Sequence, residues 1–301
     1  MGVVIARLFV IGHDACHQAF FSGRMTNRFV GSLVFLPSLT TYSLWEAGHN
    51  LGHHVFTNLR GRDYVWTPLD LAQYTALPRW RKLLERLYRS GFGFGAYYLI
   101  ELWWKHLYFP SDAVMPGKKP AHVRDSWLVT AFGAVWIAAV CVSAWLTAQS
   151  VAMLLLTAFV LPLCCWLWLM GAVIYFHHTH PQVIWYDSPD EWEANRDGIS
   201  MTVHVTFPGR LGWLINNIMS HPAHHLDARI PLYELEAAQR ALTTGGARIL
   251  EQPFSWRYVV DTVRTCKLYD YANQRWLDFD GRETSGALPD RARSAQARLV
   301  G

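Results

Sequence analysis

The sequence predicts an all-α fold, in which an integral membrane helical bundle carries a cytoplasmic cap built around boxes of histidine. Three observations predict this fold. A run of 51 residues, from 126 to 176, contains no Asp, Glu, Lys, Arg or His. The 301-residue chain is 51% hydrophobic and holds 15 tryptophans, a composition typical of a protein that meets a membrane interface. Its histidines fall into short clusters at helical spacings, which predict helices that present ligands.

The charge balance and the cysteines exclude other classes of protein. A net charge of +4 and a pI near 8.8 are modest, and no basic run alternates with aromatic residues, so we expect no nucleic-acid partner. The five cysteines form neither a CxxC pair nor a secreted disulfide framework. We interpret them as reduced residues that pack between helices.

The first apolar segment is too short to cross a bilayer. Residues 1–12 are apolar, but a helix of this length extends only about 18 Å, against a hydrocarbon thickness of about 30 Å. The segment continues into candidate ligands without a cleavage site, so it is not a signal peptide. We expect an in-frame upstream extension with at least one apolar segment of about 20 residues.

Residues 29–48 predict a broken helix. The stretch is apolar, yet it joins two histidine clusters that must lie on one side of the membrane to share a metal site. One simple crossing would separate them. Pro37 in its middle and Glu46 near its end favour a re-entrant or in-plane helix over a straight span.

The charges predict the topology of the rest of the domain. Segment 55–125 is basic and is therefore expected to be cytoplasmic. Within it, residues 91–109 predict either an interfacial helix or a buried amphipathic one. The uncharged run 126–176 is long enough for two transmembrane helices of about 20 residues each, with a break at 147–150. The pair returns to its starting side, so the later histidines are also predicted to be cytoplasmic.

The domain organisation predicted by the sequence is simple. One membrane domain covers residues 1–280. The remaining stretch, 281–301, is polar and poor in apolar residues, so it predicts a disordered tail.

Three clusters supply eight candidate metal ligands. On an α-helix, His49 and His53 share a face and His54 lies about 100° further round. In the third cluster, Pro222 is expected in the first turn of a helix capped by His221. Eight imidazoles exceed the ligands of one zinc, so they predict two ions and a ninth ligand. The candidates are His13, His17, His49, His53, His54, His221, His224 and His225, with the ninth among His177, His178 and His180.

Ligand type alone does not choose the metal, because neutral imidazole suits iron, copper, zinc and nickel. A metal pair at a bilayer surface beside apolar helices is placed to act on a lipid chain. Breaking an unactivated C–H bond requires oxygen activated by a redox metal, so we expect two irons. Zinc hydrolysis is the alternative, but neither HExxH nor another base-supplying zinc motif appears.

Four stretches of the sequence together resemble the membrane fatty acid desaturase family, particularly its oleate (omega-6 or delta-12) branch. The resemblance covers roughly residues 10–240, with the three histidine boxes in order and two spans between the second and third. Many members have HxxHH in box two where this chain has HxxxHH, so one ligand is expected to be displaced by a helical step. The family also carries one or two spans before box one. The stretches are HDACHQAFF, HNLGHHVFTNLRGRDYVWTP, YFHHTHPQVIWYD and HPAHHLDARIPLYEL.

The resemblance implies a non-haem di-iron enzyme that uses O2 and two electrons to introduce a double bond into a fatty acyl chain. The acyl chain is linked to lipid, CoA or a carrier protein. The electrons come from an external ferredoxin or cytochrome b5 system, since the chain has no haem module and no cysteine iron–sulfur pattern. The resemblance favours His178 as the ninth ligand, with His180 as the alternative.

Several residues keep two interpretations. Asp63, Trp66 and Pro68 match the family motif after box two, and their other interpretation is a structural turn. Asn217 either supports the third box or is a surface residue of its helix. We assign no role to the remaining histidines, which are His106, His122 and His204.

Two alternative functions remain open at this point. One is an oxygen-inserting relative, such as a carotenoid ketolase or hydroxylase or a fatty acyl acetylenase or hydroxylase. The other is a metal-binding membrane protein without catalysis, which would be expected to carry histidines inside its spans. The predicted spans contain none.

Overall fold

The computed structural model describes residues 1–196 and 201–286, and most of the secondary structure in this part of the chain is helical. The all-α prediction missed four short strands. They form two small pairs, β1 with β2 in parallel and β3 with β4 antiparallel, which close loops around the helices. The strands are β1 (Val203–Thr206), β2 (Leu250–Pro253), β3 (Leu268–Asp270) and β4 (Arg275–Leu277).

The helices before the uncharged run are mostly short. Two α-helices continue directly into π-helices, and these continuations matter for the site. The α-helices are α1 (Gly2–Cys16), α2 (Arg24–Phe35), α3 (Tyr42–Trp45), α4 (Leu71–Ala76), α5 (Arg79–Tyr88) and α6 (Phe94–Tyr97), and the π-helices Glu46–His53 and Tyr98–Tyr108 follow α3 and α6.

The uncharged run forms a hairpin of two long helices. The first is α7 (Pro120–Leu146), and the second runs from Val151 to His178. Both are long and apolar enough to cross a membrane, and only 17% and 11% of their most apolar windows are buried. The break predicted at residues 147–150 is confirmed, because Ser150 caps the second helix. The second helix comprises α8 (Val151–Leu155), a π-turn (Leu156–Val160) and α9 (Leu161–His178).

The helix predicted to break at Pro37 is broken there. A 3₁₀ turn, Leu36–Ser38, contains the proline, and Leu39 follows in the left-handed conformation with φ 52°. Pro37 disfavours continuation of α2 because it lacks a backbone N–H. The chain then starts α3 in a new direction, which brings the second histidine cluster beside the first.

Helix α1 packs closely between α2 and α9. A Cβ placed on Gly12 would lie 2.4 Å from the ring of Phe35, and one on Gly31 would lie 2.5 Å from Tyr42. Only glycine allows these close approaches. They hold the C-terminal end of α1, with His13, against the second cluster.

Segment 91–109 has one buried and one exposed face. Tyr98, Leu102 and Leu107 are buried, whereas Trp104 is 62% exposed. A Cβ on Gly171 of α9 would lie 2.1 Å from the carbonyl oxygen of Phe94, so α6 packs tightly on α9. The segment is therefore amphipathic with one buried face, and its position at a membrane interface stays a prediction.

The region after α9 contains four more helices around the small strand pairs. The predicted tail begins at residue 281, but its first residues are paired with β4: Thr284 donates to the carbonyl of Trp276, and Ser285 accepts from its N–H. Residues 287–301 of that predicted tail lie outside the described part of the chain. The helices are α10 (Pro189–Asn195), α11 (His221–Leu226), α12 (Leu235–Thr244) and α13 (Trp256–Thr265).

Candidate metal centre

The first histidine box lies at the end of α1. His13 is in the last turn, and His17 is the C-terminal cap, so the two rings lie one turn apart on the same side. Their ring centroids are 4.7 Å apart. Asn50 donates to the carbonyl of Cys16 at 2.9 Å and ties this box to the second one.

The second box lies on a π-helix and not on the α-helix that the sequence analysis assumed. The N–H of His54 donates to the carbonyl of His49 at 3.0 Å, an i to i+5 hydrogen bond. The wider π turn brings residues five apart together, and such turns are frequent at functional sites. His49 and His54 therefore point to one group of ligands, while His53 points to another. His49 and His53 lie side by side as predicted, with stacked rings whose centroids are 5.4 Å apart, but they belong to different groups.

The third box forms the short helix α11. Its N-cap is Ser220 and not His221 as predicted, although Pro222 does lie in the first turn. His221 and His225, four residues apart, lie together with Nε2 atoms separated by 3.0 Å. His224 points away from them. The three predicted ligands thus divide between two groups.

The ten predicted metal ligands separate into two groups and one outlier. In each group the ring nitrogens all lie within 4.8 Å of one another. His178 joins a group, but the structure does not bring His180 to either one: its Nδ1 accepts from the N–H of Gln182, and its ring lies beside Tyr258. The five-histidine group is His13, His17, His49, His54 and His224; the four-histidine group is His53, His178, His221 and His225.

The spacing of the ring nitrogens fits bound metal. The Nε2 atoms of His13 and His49 are 2.8 Å apart, and those of His53 and His178 are 3.1 Å apart. Two nitrogens each about 2.1 Å from one ion, at right angles, would be about 3 Å apart. Neutral imidazoles facing each other through Nε2 cannot all be satisfied by one another, and the Nε2 of His17 is buried without a protein partner. The donor set therefore fits metal ions better than a hydrogen-bonded histidine network.

Burial keeps several of these imidazoles in the neutral form, which is the form that binds metal. It is the main cause that lowers the pKa of His49, His54 and His224 well below the usual value, and nearby histidines lower it further. The pKa values of His17, His221 and His225 are lowered for the same reasons. Protons therefore compete weakly for the ligand atoms.

A carboxylate braces the four-histidine group. His53 Nδ1 lies 3.0 Å and 3.1 Å from the two carboxylate oxygens of Asp63. The same carboxylate accepts the backbone N–H groups of Asn58 and Val65. Asp63 thus orients a ligand and shapes the turn, so its two interpretations are compatible. A partner of this kind fixes the tautomer of a ligand and raises its basicity.

The other motif residues after box two have structural roles. The ring of Trp66 stacks on Tyr97 with centroids 3.6 Å apart, and its Nε1 donates to the carbonyl of Gly171. The carbonyl of Pro68 accepts from the hydroxyl of Tyr271. Trp66 therefore holds the turn after Asp63 against α6 and α9, and Pro68 holds it against the residue that follows β3.

Asn217 contacts the third box through its backbone, since its carbonyl accepts from the N–H of Ser220, the N-cap of α11. It lies in a turn with φ 53°, not on a helix, and its side chain donates to Glu236. A run of two left-handed residues, Asn216 and Asn217, ends the 3₁₀ helix Leu211–Ile215 and explains why the predicted helix is absent.

The histidines without an assigned role lie outside both groups. His106 stacks on Tyr64 at 4.2 Å, His122 lies near the N–H of Lys119, and His204 lies 3.6 Å from Glu251. His177, one of the three candidates for the ninth ligand, belongs to neither group. Its ring stacks on that of His221, with centroids 3.5 Å apart.

Both histidine groups open onto one apolar cavity. It lies between α1, the two π-helices and α9. Histidines from both groups form one part of its wall, and no Asp or Glu of the described residues lines it. The apolar wall includes Phe9, Val10, Leu102, Leu107, Met170 and Val173, and the histidines include His13, His49, His53, His178 and His221.

The site and the cavity together give the class of protein: a helical protein that can hold metal with imidazole ligands beside an apolar cavity. The family model for fatty acid desaturases matches residues 1–250. The chain belongs to the fatty acid desaturase family, which confirms the resemblance seen in its histidine boxes.

Its relatives include plant, cyanobacterial and bacterial proteins. The chain is 28% identical to the chloroplastic omega-6 fatty acid desaturase of Glycine max, over 89% of its own length and 61% of the relative's. It is 28% identical to the sn-1 oleoyl-lipid 12-desaturase of a Picosynechococcus species, covering 92% of this chain and 77% of the relative. A fatty acid desaturase of Bacillus subtilis is also 28% identical, covering 78% and 64%.

The chain spans about three fifths of the length of the chloroplastic relatives. The matched part contains all three histidine boxes.

Proposed function

We propose that this protein is a desaturase that uses two irons and O2 to introduce a double bond into a fatty acyl chain. The observation that carries the proposal is the opening of both histidine groups onto the same apolar cavity. A cavity of this kind can hold a hydrocarbon chain and present one of its C–H bonds to the metal groups. Family membership supports the same reaction class.

The chain's own residues bind and position the acyl substrate. A hydrocarbon chain makes no hydrogen bonds, so it is held by apolar contact and by release of water. Phe9 and Trp45 supply rigid aromatic walls, with ring centroids 4.8 Å apart, and Trp45 stacks on the ligand His49 at 4.8 Å. The wall that holds the substrate is therefore in direct contact with a ligand, and it excludes water from the reacting carbon atoms.

The nine grouped histidines would hold the metal ions. Non-haem iron, when bound, supplies the redox chemistry with O2 that an unactivated C–H bond requires. Zinc-dependent hydrolysis is less well supported, because such enzymes use a base and the described cavity wall contains no carboxylate. Asp63 holds His53 in position through Nδ1, so that Nε2 faces the metal.

We further propose that the two electrons come from a separate ferredoxin or cytochrome b5 system. The five cysteines are free and form no cluster in the described chain, so they offer no iron–sulfur site. Lipid, CoA and carrier protein are all possible acyl carriers. The name of the cyanobacterial relative, an oleoyl-lipid desaturase, favours an oleoyl chain on a lipid.

We also propose that the histidine groups lie on the cytoplasmic side of a membrane. The hairpin starts at Pro120 and returns at His178, so both of its ends lie near the histidine groups. The basic segment 55–125 supports the cytoplasmic side. Labelling of single cysteines in residues 60–120 of intact cells should require permeabilisation, and labelling from outside would contradict this topology.

Expression with a compatible reductase tests the proposed activity. Lipids from cells that express the protein and are fed ¹³C-labelled oleate should contain a labelled chain two mass units lighter, reflecting the loss of two hydrogens. A His225→Ala variant, expressed at the same level, should give no such product. An oxygenated product would instead support the oxygen-inserting alternative. The absence of any product, when the electron donor is one that works with a related desaturase, would contradict the proposal.

A further inference from the structure

Helix α5 exposes its apolar face and buries polar side chains, the reverse of an ordinary surface helix. Trp80, Leu83 and Leu87 are 66%, 68% and 44% exposed. Glu85 and Tyr88, on the opposite face, are 5% and 0% exposed. A helix on the surface of a water-soluble domain would bury its apolar face. The exposed face of α5 therefore needs a partner that is itself apolar.

The inward polar face of α5 is fully engaged and fixes this orientation. Arg81 forms an ion pair with the largely buried Glu101, and the hydroxyl of Tyr88 donates to the same carboxylate at 2.8 Å. Glu85 lies 3.6 Å from the guanidinium of Arg89, which is also buried. Rolling α5 over to bury its leucines would separate these charges from their partners, which disfavours that orientation.

The exposed apolar face of α5 continues onto the exposed side of α9. Phe92, just beyond α5, is 87% exposed. The Nε1 of Trp168 on α9 donates to the carbonyl of Gly91 at 3.1 Å, so the end of α5 is attached at the level of Trp168. The two surfaces therefore form one continuous apolar area.

Trp168 marks the level at which α9 passes from exposed to buried. Most residues from 151 to 168 are exposed or half-buried, whereas those from 171 to 178 are mostly buried. The exposed part, 18 residues from 151 to 168, extends about 27 Å at about 1.5 Å per residue, close to the thickness of a bilayer core of about 30 Å. On α7, Trp127 is 61% exposed at the corresponding height. Tryptophans at this level are typical of a membrane interface.

We propose that α5 lies in the plane of the membrane interface, with its apolar face among the acyl chains of the leaflet nearest the histidine groups. Arg79 is exposed beside this face and can reach the phosphates of phospholipid headgroups. The partner is thus a phospholipid bilayer, and the continuity with α9 favours it over another protein. This inference rests on the membrane position of α7 and α9 given under the proposed function.

Nitroxide labels on the full-length protein in phosphatidylcholine and phosphatidylglycerol nanodiscs test the placement. A label at Leu83→Cys should collide readily with O2 and lose most of its collisions with a water-soluble nickel complex. A second label at Phe92→Cys should behave in the same way. The matched control is Arg240→Cys on α12, whose side chain is 66% exposed and which should be open to nickel. Cys141, Cys164 and Cys165 are replaced by serine to remove other labelling sites.

A label at Val135→Cys separates failure of this inference from failure of the membrane position itself. Val135 is 67% exposed on α7, in the middle of the first proposed span. Nickel access at 83 and 92 but not at 135 would overturn the placement of α5 while leaving the spans in the membrane. Nickel access at all three positions would overturn the membrane position on which the placement rests. Protection at all three supports the inference.

Discussion

The two histidine groups are held in place by different means. The five-histidine group takes ligands from α1, the π-helix and α11, and the close packing of these elements positions the rings. The four-histidine group has one ligand fewer, but its rings have more side-chain partners: Asp63 binds His53, and Thr57 lies 3.3 Å from Nδ1 of His225. A metal site can therefore be held rigid in two ways. Either many ligands are fixed by close packing, or a smaller number of ligands is fixed by hydrogen bonds.

The largest expected effect comes from removing one ligand from either group. His49→Ala and His225→Ala should each reduce desaturation below detection, because each removes a metal ligand. If the groups hold separate ions, each variant should lose about one of two irons, measured by metal analysis of purified protein. His106→Ala is the control and should retain both irons, since His106 lies outside the groups. Loss of activity with His106→Ala but not with His225→Ala would contradict the assignment.

A smaller loss of iron affinity or activity is expected when the carboxylates beside the two histidine groups are substituted. Asp63→Asn should lower iron affinity or activity about 10–100-fold, since it removes the negative charge that orients His53. Asp14→Asn is the matched change in the five-histidine group, where the carboxylate lies 3.5 Å from Nδ1 of His13. Its effect should be smaller because that contact is longer. Equal effects of the two substitutions on iron titrations would remove the proposed distinction.

The packing of the five-histidine group can be tested at Gly48, next to the ligand His49. A Cβ at this position would lie 2.3 Å from the hydroxyl of Tyr64, so Gly48→Ala should destabilise the protein by about 1–3 kcal/mol and reduce activity. Gly52→Ala, whose Cβ would lie 3.5 Å from the same ring, is the control and should be tolerated.

Removing the clashing hydroxyl should restore the Gly48→Ala variant. The next ring atom of Tyr64 is 3.4 Å from the added Cβ, a distance at which small adjustments suffice. The double variant Gly48→Ala, Tyr64→Phe should therefore regain stability in thermal unfolding. If Tyr64→Phe gave no recovery, this contact would not be the cause.

The smallest expected effect is the pH dependence of the metal-free protein. Burial lowers the pKa of His49 and His224 in the five-histidine group, and of His221 and His225 in the other. Above about pH 6.5 these rings are neutral in both folded and unfolded chains and contribute no pH dependence. As pH falls below that value, only the unfolded chain takes up protons, so stability should decrease.

Thermal unfolding between pH 5 and pH 7.5, with and without iron, measures this dependence. The metal-free protein should lose stability on acidification, and iron should reduce the loss. Stability that rises as the pH falls would contradict the neutral buried histidines.

The sequence by itself predicted the candidate ligands and the membrane-capable hairpin. Metal binding requires particular side chains, so the histidine boxes are visible without any structure, and His178 could be selected from its motif. The break at Pro37 and the hairpin turn at 147–150 were also predictable, because proline and an uninterrupted apolar run act locally.

Only the tertiary structure decided how these parts are combined. The π-helix that brings His49 and His54 to one group and His53 to the other contains Gly48, which packs against Tyr64 in a contact that no local pattern encodes. The brace from Asp63 depends on a turn folding back onto the second box. The outward apolar face of α5 depends on Glu101, twenty residues beyond Arg81, whose buried carboxylate draws the helix charges inward. Each of these features arises from long-range packing, which overrides the regular helical periodicity that the sequence alone suggests.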